Sequence, residues 1–157
     1  MKNNWLTLKS LFLCVSALSA SGLILSGCTE NANLNVGEWS LEYAHANGID
    51  ISKGSKLIYD NVYAAYKLAD SVVSTRDYAK HHVSTKKIND HFGEGYHYEV
   101  TYTGNNLPVL VQSFYVYPTK DYVLTDFTLE STSEMASNYM APVNVDRMPE
   151  VLNQGEN

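Results

Sequence analysis

Between Trp39 and Val145 the chain repeatedly alternates bulky apolar side chains with small or polar ones, a period of two broken at short intervals by turn-forming clusters. That period belongs to strands with one face buried. Trp39 to Tyr43 (WSLEY) is the first such run, and Asn47-Gly48 and Lys53-Gly54-Ser55 are turn signals on either side of Ile49 to Ile51. Leu57 to Leu68 is rich in Tyr, Val and Ile, with Asp60-Asn61 marking a bulge or turn. Ala, Lys and Leu in Val62 to Leu68 favour a helix locally, but the surrounding pattern favours strand.

The clearest strand is Gly95 to Thr103. It places Tyr96, Tyr98, Val100 and Tyr102 on one face and His97, Glu99, Thr101 and Thr103 on the other, whereas a helix would scatter the tyrosines around its circumference. Gly104-Asn105-Asn106 turns the chain into Val109 to Tyr117, with Pro108 at the strand start where its missing N–H does least harm. Pro118 to Asp121 turns it again into Tyr122 to Glu130, which completes an antiparallel meander. Asn138 to Val145 supplies one more strand. About six to eight strands with no helical pattern between them predict an all-β, antiparallel β-sandwich.

The N-terminus has a different pattern. Lys2 and Lys9 precede an apolar, small-residue stretch from Leu11 to Leu25, the layout of a secretory signal. The stretch is short and serine-rich for a membrane span of about 20 residues. It ends in Leu25-Ser26-Gly27-Cys28, which resembles the lipobox of bacterial lipoproteins. Small residues at 26 and 27 suit a peptidase cleft, and the Cys28 thiol would be lipidated before cleavage leaves it as the new N-terminus. Each buried lipid CH₂ contributes about 0.8 kcal/mol, so several acyl chains would anchor the chain without spanning the bilayer. Thr29, where an aspartate would signal retention at the inner membrane, points to the outer membrane or cell surface. The expected organisation is a signal peptide over 1–27, a polar tether over 28–37, a sandwich domain over 38–146 and a flexible tail over 147–157.

Processing changes the arithmetic. Of 157 residues, removal of 27 leaves 130, and loss of Lys2 and Lys9 leaves 9 basic against 17 acidic side chains, a formal charge of −8. That length allows one modest core and excludes a (β/α)₈ barrel of about 250 residues. An acidic chain without a basic run excludes nucleic acid as a partner, since such binding draws on neutralised phosphates. Cys14 is removed and Cys28 is lipidated, so no thiol remains for a disulfide, a metal or a nucleophile.

Few residues suggest chemistry. His81, His82, His91 and Asp90 could be drawn as a metal cluster, but adjacent histidines in a strand point to opposite faces, so no metal and no cofactor is expected. Asp90 to Gly95 (DHFGEG) reads as a hairpin loop whose glycines supply positive φ. The pair Asp90 and Glu94 is the weak carboxylate signal that any acidic loop offers. All twelve tyrosines fall in the processed chain. Tyr96, Tyr98, Tyr102, Tyr115 and Tyr117 are candidates for carbohydrate contact, because an aromatic face stacks on the C–H face of a sugar. Packing on a half-buried pleated face is the other use of tyrosine.

Four segments, Ser74 to Tyr78, Asp90 to Gly95, Leu107 to Tyr117 and Ser137 to Pro142, occur in an order that resembles part of the N-terminal β-sandwich of bacterial α-galactosidases and raffinose-synthase-like glycoside hydrolases. The resemblance covers roughly residues 56–145. It implies a retaining glycosidase whose two catalytic carboxylates lie on a barrel that this chain lacks, so no catalytic residue transfers and no hydrolysis is expected from the chain alone. The expected role is the non-catalytic N-terminal part of an exported α-galactosidase-like enzyme. A surface lipoprotein that binds galactoside or another glycan, and a structural or adhesion module that self-associates through open sheet edges, are the alternatives.

Overall fold

The computed structural model describes residues 33–44 and 48–146. The expected signal peptide over 1–27, Cys28, His45, Asn47 and the expected tail over 147–157 lie outside the described residues. Ten strands succeed one another: β1 (Asn33–Val36), β2 (Trp39–Tyr43), β3 (Ile49–Lys53), β4 (Lys56–Leu68), β5 (Ser71–Ser74), β6 (Lys80–Asp90), β7 (Gly93–Thr103), β8 (Val109–Val116), β9 (Val123–Glu130) and β10 (Met140–Asn144). A 3₁₀ turn, Thr75–Asp77, links β5 to β6. The fold is all-β and sandwich-like, with every pairing antiparallel.

The chain builds its sheets in succession. One sheet has the order β1-β2-β3-β4-β10, with β5 also on β4, and the other is β6-β7-β8-β9. The last strand therefore returns to the sheet made first. Their inner faces share one core, Leu41, Ile49, Ile51, Val62 and Tyr66 from the first sheet against Tyr98, Val100, Tyr102, Leu110 and Phe114 from the second. The period of two in the sequence is what sends these residues inward together.

Two expectations are corrected. Residues 33–36 are not tether: Leu34 and Val36 are buried, and β1 pairs with β2 through the Gly37-Glu38 turn. The asparagines alternating with them face solvent, and those gave the segment its polar look. The strand count among the described residues also rises to ten, because β1, β5 and β6 join those expected. The bulge at Asp60-Asn61 is present. Ile49 pairs with Val62 and Ile51 with Tyr59, so two residues of β4 oppose Asp50 alone. Asn61 sits at φ +51, and its N–H donates to Asp50 Oδ1 at 2.8 Å.

Side chains fasten the layers at both ends. Trp39 Nε1 donates to the carbonyl of Lys120 at 2.9 Å. Beside it Lys53 bonds Asp121 at 2.8 Å, with its ammonium 5.5 Å from the centre of the Trp39 ring. At the opposite end, the Tyr78 hydroxyl donates to the Pro108 carbonyl at 2.8 Å and lies 3.0 Å from that of Tyr66.

Candidate functional site: the faces of the second sheet

Register decides what each face of the second sheet offers. Tyr98 pairs with Phe114 and His97 with Tyr115, so Tyr96, Tyr98 and Tyr102 share the inner face while Tyr115 belongs to the outer one. The five candidate tyrosines therefore do not make one platform. Tyr98 and Tyr102 are fully buried in the core, and their desolvated phenols titrate well above the ordinary tyrosine range. Tyr117 is also buried and cannot stack on a ligand. The apolar rings of Tyr98 and Tyr102 fill the space between the sheets more favourably than they would cover a wet surface. Only Tyr96 and Tyr115 remain half-exposed, on opposite faces.

Tyr117 explains the run Asp90 to Gly95. Asp90 ends β6, His91 and Phe92 form a two-residue loop, and Gly93 opens β7 at φ +110. The Tyr117 ring then lies across Gly95: a Cβ there would sit 2.5 Å from its Cδ1. The Tyr117 hydroxyl donates to Asp90 Oδ2 at 2.7 Å, the Phe92 N–H donates to Asp90 Oδ1 at 2.8 Å, and Phe92 packs 5.7 Å from the Tyr117 ring. These donors hold the Asp90 carboxyl below the usual carboxylate range, while burial first and the carboxylate second push Tyr117 up to about 12. Asp90 is thus the anchor of a hairpin, not half of an acid/base pair with Glu94.

The outer face carries a polar row that the sequence did not single out. Lys86, His97, Tyr115 and Leu124 lie on adjacent strands, and Ser84, Glu99, Ser113 and Asp126 form the rung beside them. His97 stacks on Tyr115 with centroids 4.6 Å apart and planes at 11°. Its Nε2 is buried without a hydrogen bond, 3.8 Å from Glu99 Oε2. Desolvation, with help from Lys86, lowers the His97 pKa, and Glu99 and Asp126 oppose that shift. Tyr115 donates to Asp126 Oδ2 at 3.1 Å. The alternation of His97 and Glu99 was visible in the sequence, but their partners came from β8 and β9 and needed the register.

His81 and His82 point to opposite faces, and His81 stacks on Tyr43 with centroids 4.1 Å apart. Among the described residues no three His, Cys, Asp or Glu side chains gather as a metal site would. A separate cleft of about 370 Å³ opens between the sheets, lined by Trp39, Ile51, Ile58, Phe114, Tyr122 and Val143 among others.

The four resemblance segments are joined in space. Tyr78 of the first bonds Pro108 of the third, and Asp90 of the second bonds Tyr117 of the third. Gln112 Nε2 of the third donates to the carbonyl of Pro142 in the fourth at 2.8 Å. No family model, curated protein or solved structure matches the chain.

Proposed function

We propose that this chain is the non-catalytic N-terminal β-sandwich of an exported, lipid-anchored α-galactosidase-like glycoside hydrolase. The observation that supports the reading is the mutual docking of the four segments: the other three are each hydrogen-bonded to the third, Leu107 to Tyr117. These contacts make the four segments parts of one structural unit, as a shared domain requires. In this reading Cys28 carries the lipid that tethers the domain to the outer membrane or cell surface, and the hydrolytic carboxylates belong to a barrel encoded after Asn157.

Two measurements test it. Sequencing the DNA immediately downstream of the Asn157 codon should reveal a barrel-encoding frame, and an unrelated gene after a stop would overturn the proposal. The purified chain should release no galactose from an aryl α-galactoside, and measurable release would equally sink it. The lipid is tested separately, by mass spectrometry of the membrane-extracted chain, which should carry acyl groups at Cys28 that a Cys28→Ser variant lacks.

A second reading, a module that self-associates through its edges, draws on a different observation. Among the described residues β6 and β9 each pair on one side only, which leaves the backbone groups of two long strands available to another chain.

A further inference from the structure

The β6–β7 hairpin changes character along its inner face. Val83, Tyr98 and Tyr102 are buried there, but farther toward the hairpin tip the same face carries Lys87 opposite Tyr96 and Asn89 opposite Glu94. Lys87, Asn89 and Glu94 are exposed and Tyr96 is half-buried, so this part of the face is not covered by the first sheet. With Pro118 from the turn after β8 these residues line a groove of about 480 Å³, within the roughly 300–1,000 Å³ typical of small-molecule sites.

We propose that this groove binds a neutral saccharide unit. The inference rests on the carbohydrate-associated reading above for its choice of ligand class, and on the groove for its place. Tyr96 and Pro118 offer apolar surface to the C–H face of a sugar ring. The three polar groups divide the work that ring hydroxyls require: the Glu94 carboxylate accepts, the Lys87 ammonium donates, and the Asn89 amide does both. The Asn89 and Glu94 side chains make no hydrogen bond to another described residue, so they enter the groove uncommitted. The Lys87 ammonium stands 6.0 Å from the centre of the Tyr96 ring, which places the donor and the aromatic surface together. A purely apolar ligand would leave these polar groups dry, and a phosphate would meet Glu94 as a like charge.

The test is a titration of the isotope-labelled chain beginning at residue 28 with galactose, methyl α-galactoside, glucose and N-acetylglucosamine, monitored by amide NMR. At least one sugar should move the resonances of residues 87–96 and Pro118's neighbours. Glu94→Gln and Asn89→Ala, both at exposed positions, should each weaken that binding about tenfold or more while leaving the rest of the spectrum unchanged. No response to any of the sugars would overturn the proposal, as would shifts centred elsewhere or unaffected by both substitutions. The outcome does not depend on the gene beyond the Asn157 codon: binding without a barrel gene leaves the groove standing and removes the parent enzyme, and a barrel gene without binding does the reverse.

Discussion

Adding one methyl group at Gly95 would drive a Cβ to 2.5 Å from the Tyr117 ring and 2.8 Å from the Val116 carbonyl oxygen. The ring is held by the Asp90 carboxylate and flanked by Phe92, so it has little room to yield. Gly95→Ala is expected to destabilise the fold by about 1–3 kcal/mol, as overpacking typically does, read from urea unfolding. An unchanged midpoint would mean that Tyr117 can swing away. His97 makes a prediction about pH. Burial favours its neutral form, so its folded pKa lies below the unfolded value of about 6.5. Between those two values the unfolded chain binds the extra proton, so stability is full above about pH 6.5 and falls as the pH drops below it. His97→Phe keeps a ring beside Tyr115 and should abolish that slope in urea midpoints taken from about pH 7.5 to about pH 5.5. The depressed carboxyls of Asp90, Asp121 and Asp146 act in a lower window, below about pH 4. A variant that retained the whole slope would place its origin outside His97.

At the scale of elements, the strands easiest to read were those whose inner residues are large and whose turns carry Gly or Asn. β7 and β8 meet both conditions, and the faces assigned to Tyr96, Tyr98, Val100 and Tyr102 hold in the register. The period of two grouped these tyrosines but could not say which group faces inward, since that depends on the other sheet. β6 escaped because it is an edge strand: along KHHVSTKKIND only Val83 is buried, and lysines and histidines fill much of the rest. β5 escaped for a different reason. Its hairpin with β4 turns through Ala69-Asp70, and Ala69 sits at φ +51, a position that glycine or asparagine would have flagged. A left-handed alanine carries a steric penalty of about 1–2 kcal/mol, partly offset by glycine's larger loss of chain entropy. Ala69→Gly is therefore expected to raise stability by about 0.5–1 kcal/mol, seen as a higher urea midpoint. A loss of stability would show that the alanine is not strained.

For the whole molecule, the sandwich was legible but its closure was not, because the last strand crosses back to the first sheet and no local signal announces a long-range pairing. β10 pairs with β4 only over Tyr63 to Tyr66, and β3 occupies the register from Lys56 to Val62. Alongside lies the cleft between the sheets, where Tyr122 and Val143 are exposed at its rim and Ile58 and Phe114 lie within. Leu57 of β4 and Met140 of β10 are further exposed apolar side chains. Apolar surface gathered beside unpaired strand edges favours association. The chain is accordingly expected to self-associate with rising concentration in sedimentation velocity. A double variant, Tyr122→Lys with Val143→Lys, should reduce that association without lowering the melting temperature appreciably, since exposed positions away from special contacts usually change stability by no more than about 0.5 kcal/mol. Trp39 lines the cleft and is the one tryptophan that remains after residue 27. Its emission should therefore shift to the blue as copies meet if they cover this side. A chain that stays monomeric at every concentration would remove the edge-association reading. Association with unaltered Trp39 emission, and undiminished in the double variant, would move the contact to the free edge of β6.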